Sequence, residues 1–546
     1  MKKSVLSVTK MLDQYNKCVG GFVGENYQGE ITGCSAQGDA TGYGEKVGGF
    51  AGENEKGTIT NCTAEGEVTG YNYYVGGFAG ENEGGTITNC SATGNVTGKS
   101  EVGGEVGGFV GCNDKGEITS CTATGNVRGT YTVGGFAGSN GNITNDNRAI
   151  ITNCTATGEV TDEKYVGGFI GRNKETGRIT ECKSTGEVKG NKCVGGFVGE
   201  NDKGEITRCI AKGNVRGTYI VGGFAGVNSG LIEYCIAYGS VKAKKRVEED
   251  AASAIGNGKV LDKKKKAAIE TITTMTLLGA TVGGVAFGTI GLDKAGSKLR
   301  DAWDSVKAFF NEKVMTNSNY KKVIGALIAL GIAAIIIIVP ISLSQKKHID
   351  VPIGGFVGEN DGKIENCTSS GKVTVKKVSM HVTVGGFAGI NGATGTIKNC
   401  EAEEDVHVST KLSGKAGGFV GNNDGKVVGS KFSGAHVYLS TGSLYKDDCC
   451  GGFAGKNDAG GSIDYCDVGQ AKAEPMGDDK KAENRVATIE TTHKTKGGGL
   501  IGVAGKLSST TNCTYSARRK SKTGEVGVNS CYKKEKGAIV TNCIAK

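Results

Sequence analysis

Along most of this chain, small or apolar residues alternate with polar ones at a period of two. In Cys90-Ser91-Ala92-Thr93-Gly94-Asn95-Val96-Thr97 every other place is small or apolar. That is the signature of a half-buried strand. Cys62-Ala64-Gly66-Val68 and Cys154-Ala156-Gly158-Val160 repeat it. Thr86-Ile87-Thr88 predicts a second, shorter strand, and Val75 to Ala79 a third. Ile87 and Cys90 are three apart, so a flat strand would send them to opposite faces. A corner at Asn89, a residue type that tolerates the left-handed region, lets both point inward. Phe78 is harder to place, because it opposes Val75, Gly77 and Ala79. Either the Gly pair carries a bulge or Phe78 packs on a second surface.

The pattern returns as a long repeat. The Phe of a V-G-G-F motif recurs at Phe22, Phe50, Phe78, Phe109, Phe136, Phe169, Phe197 and Phe224. It recurs again at Phe356, Phe387, Phe419 and Phe453, with a worn copy at Leu500. Steps of 27 to 34 residues mean a solenoid, a propeller or an array. Propeller blades need about 40 residues and helical repeats need a 3.6-residue period, so neither fits. Three strands and three corners per unit predict one coil of a β-helix, whose unpaired edges are satisfied by the next coil. The expected fold is all-β: a parallel β-helix (β-solenoid) of about 12–13 coils. Like residues then stack in ladders, with Phe50, Asn54, Ile59 and Cys62 above Phe78, Asn82, Ile87 and Cys90. An Asn stands four residues past each of these Phe residues, from Asn26 to Asn457. Its amide can bond a turn's backbone and its neighbours in the ladder. Calcium binding, suggested by Glu200-Asn201-Asp202-Lys203-Gly204-Glu205, is the alternative, but the spacing is that of neither an EF-hand nor a Ca²⁺-binding nonapeptide repeat.

The core reads GGFVG, GGFAG or GGFIG, with GGLIG at 498–502, and is followed by N…G.I.NC.A.G.V. It resembles the GLUG-motif repeat over about 18–241 and 353–546, some three quarters of the chain. The resemblance implies β-helical modules of large bacterial surface proteins, including adhesin-like proteins and the stalks of some immunoglobulin-cleaving metallopeptidases. It implies a stalk or binding surface, and not a catalytic machine.

The period changes between 242 and 352. A basic run from Lys242 to Lys266 is followed by two uncharged stretches, 271–292 and 323–344. Each is long enough to span a bilayer as a helix. Gly279, Gly283, Gly284 and Gly288 give the first the four-residue spacings that allow close helix packing in lipid; a buried or interfacial helix is its other reading. Leu299, Trp303, Val306, Phe310 and Met315 predict an amphipathic helix over 297–315. The interruption is thus expected to be an α-helical hydrophobic hairpin that returns the chain to the side it left. The two arrays could then stack as one column. Residues 1–17 suggest a short capping helix, because Val5, Val8, Leu12 and Tyr15 fall at helical spacing; a frayed tail is the alternative.

Composition narrows the function. Gly is 94 of 546 residues and Trp occurs once, so any interior is narrow. Much of the net charge of +9 sits in the run beside the apolar stretches, without aromatics to stack on bases. That favours a juxtamembrane flank over nucleic-acid binding. Most of the 19 Cys hold the inward repeat position and read as small buried hydrophobes. Adjacent Cys449 and Cys450 should face opposite ways. Asn61 and Asn89 spell glycosylation acceptors, which the corner role explains equally well. The five His form no H-E-x-x-H, and there is no G-x-S-x-G and no Walker A. No catalytic, metal or cofactor residue is expected. The reading is a non-enzymatic, membrane-anchored β-solenoid for cell-surface adhesion or scaffolding. Its partners would be membrane lipid and a host or neighbouring-cell ligand, protein or glycan. A membrane-inserting effector or pore-former and a peptidase-associated stalk are the alternatives. Lys and Arg near the apolar segments balance, seven against seven, so orientation stays open. Unpaired Cys and the lack of a signal peptide favour the cytoplasm; the family resemblance favours the exterior.

Overall fold

The computed structural model describes residues 17–243 and 350–468, apart from 101–102, 143–147, 442–447 and 459. Beyond these it describes strand Val5–Leu6 and the strand backbones between Ala487 and Ala545. The chain is all-β in these residues, a parallel β-solenoid.

One coil shows the plan. Its strands are Thr63–Ala64 (sheet I), Val68–Gly70 (sheet II), Tyr74–Gly76 (sheet III), Ala79–Glu83 (sheet IV) and Thr86–Thr88 (sheet V). Each strand pairs in parallel with its equivalents in the coils before and after. The five sheets hold 13 to 15 strands each. A coil therefore has five short strands where the sequence predicts three. The long alternating stretch is two strands, Ser91–Ala92 and Val96–Gly98. They are split at Gly94, where a Cβ would stand 1.9 Å from the Gly66 carbonyl oxygen. The inward assignment holds, since Cys90, Ala92 and Val96 are all buried.

The corner at Asn89 is present, with φ 54°, and Asn61, Asn153, Asn366 and Asn399 repeat it at 53–55°. Phe78 needs neither a bulge nor a second surface. The chain bends between sheets III and IV at Gly77-Phe78, so Val75, Phe78 and Ala79 all reach one interior. Only Gly permits the bend: a Cβ on Gly76 would lie 1.9 Å from the Ala79 carbonyl oxygen, and one on Gly77 2.1 Å from that of Gly108.

The two arrays are one column. Across the interruption Val221 pairs with Ile353, Asn228 with Asn360, Ile232 with Ile364, Ile236 with Thr368 and Val241 with Val373. The insertion occupies a single corner, between sheets II and III. Residues 247–349 form a separate unit. The helices expected at 271–292, 297–315 and 323–344 lie outside the described residues. Among the described residues no helix is long and apolar enough to cross a membrane. At the start, Val5–Leu6 is a strand paired with Ser35–Ala36, which corrects the helical expectation for those two residues. The rest of 1–16 lies outside the description.

Candidate functional site

The interior is built from ladders that satisfy themselves. Phe50, Phe78 and Phe109 stack with ring centroids 4.8 Å apart and planes within 4° of parallel, the separation that parallel strands impose. Asn54 Nδ2 donates to Asn82 Oδ1 at 2.8 Å and to the Gly57 carbonyl at 3.0 Å. Asn82 repeats both bonds to Asn113 and Gly85. Each buried amide is thereby paired up and down the column, as a polar group shut from water must be. The thiols do likewise. The Cys62 amide donates to Cys90 Sγ at 3.3 Å, and Cys62 Sγ donates to the Thr60 carbonyl at 3.3 Å. Ile59 and Ile87 are fully buried beside them. The ladders cross the interruption: Asn228 bonds Asn360 at 2.8 Å, the Cys235 amide bonds Cys367 Sγ at 3.3 Å, and Phe224 stacks on Phe356 at 4.9 Å. These residues hold the column together and none reaches solvent.

Chemistry that meets solvent gathers instead where the outer faces of sheets III and IV fold toward each other. The Gly two places past each Phe lets the walls close: a Cβ on Gly80 would stand 2.6 Å from the Val47 amide nitrogen. Outward side chains of both walls therefore share a narrow seam. Lys46 Nζ lies 2.6 Å from Glu53 and 2.6 Å from Glu81. Further along, Lys174 Nζ lies 3.0 Å from Glu105 Oε1, Ser139 donates to Glu105, and Arg172 Nε lies 2.6 Å from Glu200. Burial pushes the Glu81 carboxyl above its ordinary range although Lys46 opposes the shift. Burial and then the Glu53 carboxylate push the Cys18 thiol up to about 12. Burial works against the Lys46 charge, but its two carboxylates outweigh it and raise the ammonium's pKa. Two seam oxygens, Thr383 Oγ1 and Asn422 Oδ1, are buried without a hydrogen-bond partner.

Two groups in the seam have metal-like spacing, Cys18/Glu25/Glu53 and Glu53/Glu81/Glu83, with ligand atoms within 4.8 Å. The Lys46 ammonium already bridges Glu53 and Glu81, and a protonated Cys18 thiol is a poor ligand. Both groups therefore read as ion-pair chemistry. Ser139 sits between a carboxylate and an ammonium, but it is fully buried and offers a substrate no approach. Cys450 joins the core, while Cys449 lies on the other face of its strand, aligned with Lys415 in the seam. The glycines expected to pack a membrane hairpin, Gly279, Gly283, Gly284 and Gly288, lie outside the described residues.

The family model described as "The GLUG motif" matches nine segments: 15–41, 43–69, 71–97, 103–128, 129–161, 162–189, 190–216, 353–374 and 381–406. Each covers a coil, or most of one, of the column just described. The chain is a GLUG-motif repeat protein. Its GLUG architecture outruns the matched segments, because Phe224, Phe419 and Phe453 carry the same stack. Comparison with curated proteins and with solved structures returned no match. Sequence reasoning placed the GLUG ladders and missed the seam. Lys46, Glu53, Glu105 and Lys174 sit at positions that vary from repeat to repeat. The only constant sign of the seam is the Gly two places past each Phe.

Proposed function

We propose that this GLUG solenoid is a non-enzymatic scaffold, anchored in a membrane through 242–352, that presents its outer faces at the cell surface for adhesion. One observation carries the reading: the inside is constant and the outside is not. Sheet V keeps Ile59, Ile87, Ile118, Ile151 and Ile179 inward. The outward residue in the same rungs runs Thr58, Thr86, Glu117, Ile150, Arg178. A binding surface needs such variety on a rigid frame. The continuity of the column supports the anchor. Ala243 and Asp350 border one insertion in one corner, so that insertion starts and ends on the same side of any membrane it enters. Two uncharged, largely apolar stretches of 22 residues meet that condition. The ligand class we infer is a protein or glycan of a host or neighbouring cell.

The test is adhesion by cells that display the chain. Saturable attachment to a target surface, competed by soluble column and lost on deletion of 353–468, is expected. Attachment unchanged by that deletion would overturn the reading.

A further inference from the structure

The corner between sheets II and III differs from every other corner of the coil. Among the described residues, seven tyrosines lie in it or on the first residue after it. Tyr43 and Tyr71 stack at 4.4 Å, and Tyr43 and Tyr73 are 42% and 45% exposed. Lys99 Nζ donates to the Tyr71 hydroxyl at 3.3 Å and lies over its ring. Lys164 Nζ stands 3.9 Å from the centre of the Tyr131 ring. The backbone sets these residues in register: the residue before each sheet III strand runs Glu45, Tyr73, Gly104, Tyr131, Lys164, Lys192, Tyr219 up consecutive rungs. At about 4.8 Å per rung, they make an edge roughly 30 Å long.

Tyr and Lys together are the side chains suited to a lipid headgroup layer. The Tyr ring and the Lys stem are apolar, and their polar tips stay wet. The corner between sheets IV and V has another character, with Glu55, Glu83, Asp114 and Glu175 along it. There the lysines are committed: Lys56 pairs with Glu55, Lys115 with Glu83 and Asp114, and Lys203 with Glu175, so that edge offers an anionic bilayer no net positive charge. The chain also leaves the column from the tyrosine corner. After Lys242, which is exposed at the end of sheet II, residues 244–349 carry the Lys-rich run and both apolar stretches before the chain re-enters at Val351. Among the described residues, the exposed carboxylates on this edge are Glu45 and Glu163, against exposed Lys99 and Lys192 and the half-buried Lys164.

We propose that the corner between sheets II and III rests on the headgroup surface of an anionic bilayer, so that the column lies along the membrane on its tyrosine–lysine edge. This rests on the anchored reading above. It adds which edge faces lipid, and leaves the faces of sheets I and V turned toward partners.

The test uses the full chain in phosphatidylcholine–phosphatidylglycerol vesicles, isolated by flotation and treated with an impermeant amine-acetylating reagent. Labelling is read by mass spectrometry before and after the vesicles are dissolved. Lys99 and Lys192 should label several-fold more slowly in vesicles, while Lys56 and Lys203, exposed at the corner between sheets IV and V, should not change. Tyr43→Ser with Tyr71→Ser and Tyr73→Ser should still float but lose the protection of Lys99. Flotation with equal labelling at all four lysines would overturn the proposal and leave the anchor standing. Failure to float would overturn both.

Discussion

Asp162 stands where the repeat has glycine. Gly42, Gly70, Gly98, Gly129, Gly190 and Gly217 occupy that place in other coils, and there a side chain would point at the core. A Cβ on Gly129 would lie 2.3 Å from Val133 Cγ2, and one on Gly190 2.7 Å from Val194 Cγ2. The Asp162 carboxyl is consequently buried, with Oδ2 unpaired. Burial pushes its pKa up to about 7 from 3.8; the Glu163 amide bonded to Oδ1 opposes the shift and the Glu163 charge adds to it. An acid whose pKa is raised on folding binds its proton more tightly in the native state. Its cost is absent below the unfolded value, grows as pH rises between the two values and is complete above the folded one. A shift of about three units, at 1.36 kcal/mol each, puts the cost at pH 8 on the order of 4 kcal/mol. Because stability in a solenoid is carried by neighbouring coils, the cost should fall on the coils around Phe136 and Phe169. Amide exchange of Val160 and Val166, corrected for intrinsic rate, should show opening that becomes easier between pH 5 and pH 8. Asp162→Asn should flatten that dependence, and Asp162→Gly should also strengthen protection at pH 8. An Asp162→Asn protein as pH-sensitive as the parent, or an Asp162→Gly substitution that loosens the coil, would show that the buried carboxyl does not set the pH dependence.

Removing the Lys46 ammonium should strand Glu53 and Glu81 in the seam, so Lys46→Met should cost about 3 kcal/mol at pH 7. Part of that should return as the carboxyls protonate on acidification, measured as urea midpoints at pH 4.5 and 7. Phe136 is clasped between Phe109 and Phe169 at 4.8 and 4.9 Å; Phe136→Ala should cost about 3–5 kcal/mol and open tryptic cleavage between 110 and 170. Arg208 holds the left-handed corner at φ 55°, where other coils use Asn. Arg208→Asn should raise local stability by up to ~1 kcal/mol, read as slower exchange at Ile206 and Ile210.

The interior was legible because each of its residues repeats at a fixed offset, so that Phe, Asn, Ile and Cys announce their ladders and Asn89 its corner. The number of strands per coil was not. Cys90 to Val96 keeps its alternation across the turn at Gly94, and a period-two pattern is blind to a bend that preserves which side faces in. Phe78 looked misplaced for the converse reason. The Gly77-Phe78 bend changes the direction of the strand, and the sequence marks it only by glycines that serve elsewhere as ordinary repeat residues. The seam escaped because its two offsets carry no constant residue type: four places before the Phe stand Lys46, Tyr74, Glu105 and Thr132, and three places past it Glu53, Glu81, Cys112 and Ser139. The tyrosine corner escaped because its positions keep no single residue type: five places before the Phe stand Glu45, Tyr73, Gly104, Tyr131, Lys164, Lys192 and Tyr219.

We propose one column, tethered by an insertion that leaves and re-enters it in the same corner and carried on the cell surface. Epitope tags at both ends of the chain, probed with an impermeant protease on intact cells, decide this. Both tags should be lost together before lysis. Loss of one tag with the other protected would contradict the single column, and survival of both until lysis would contradict the surface role.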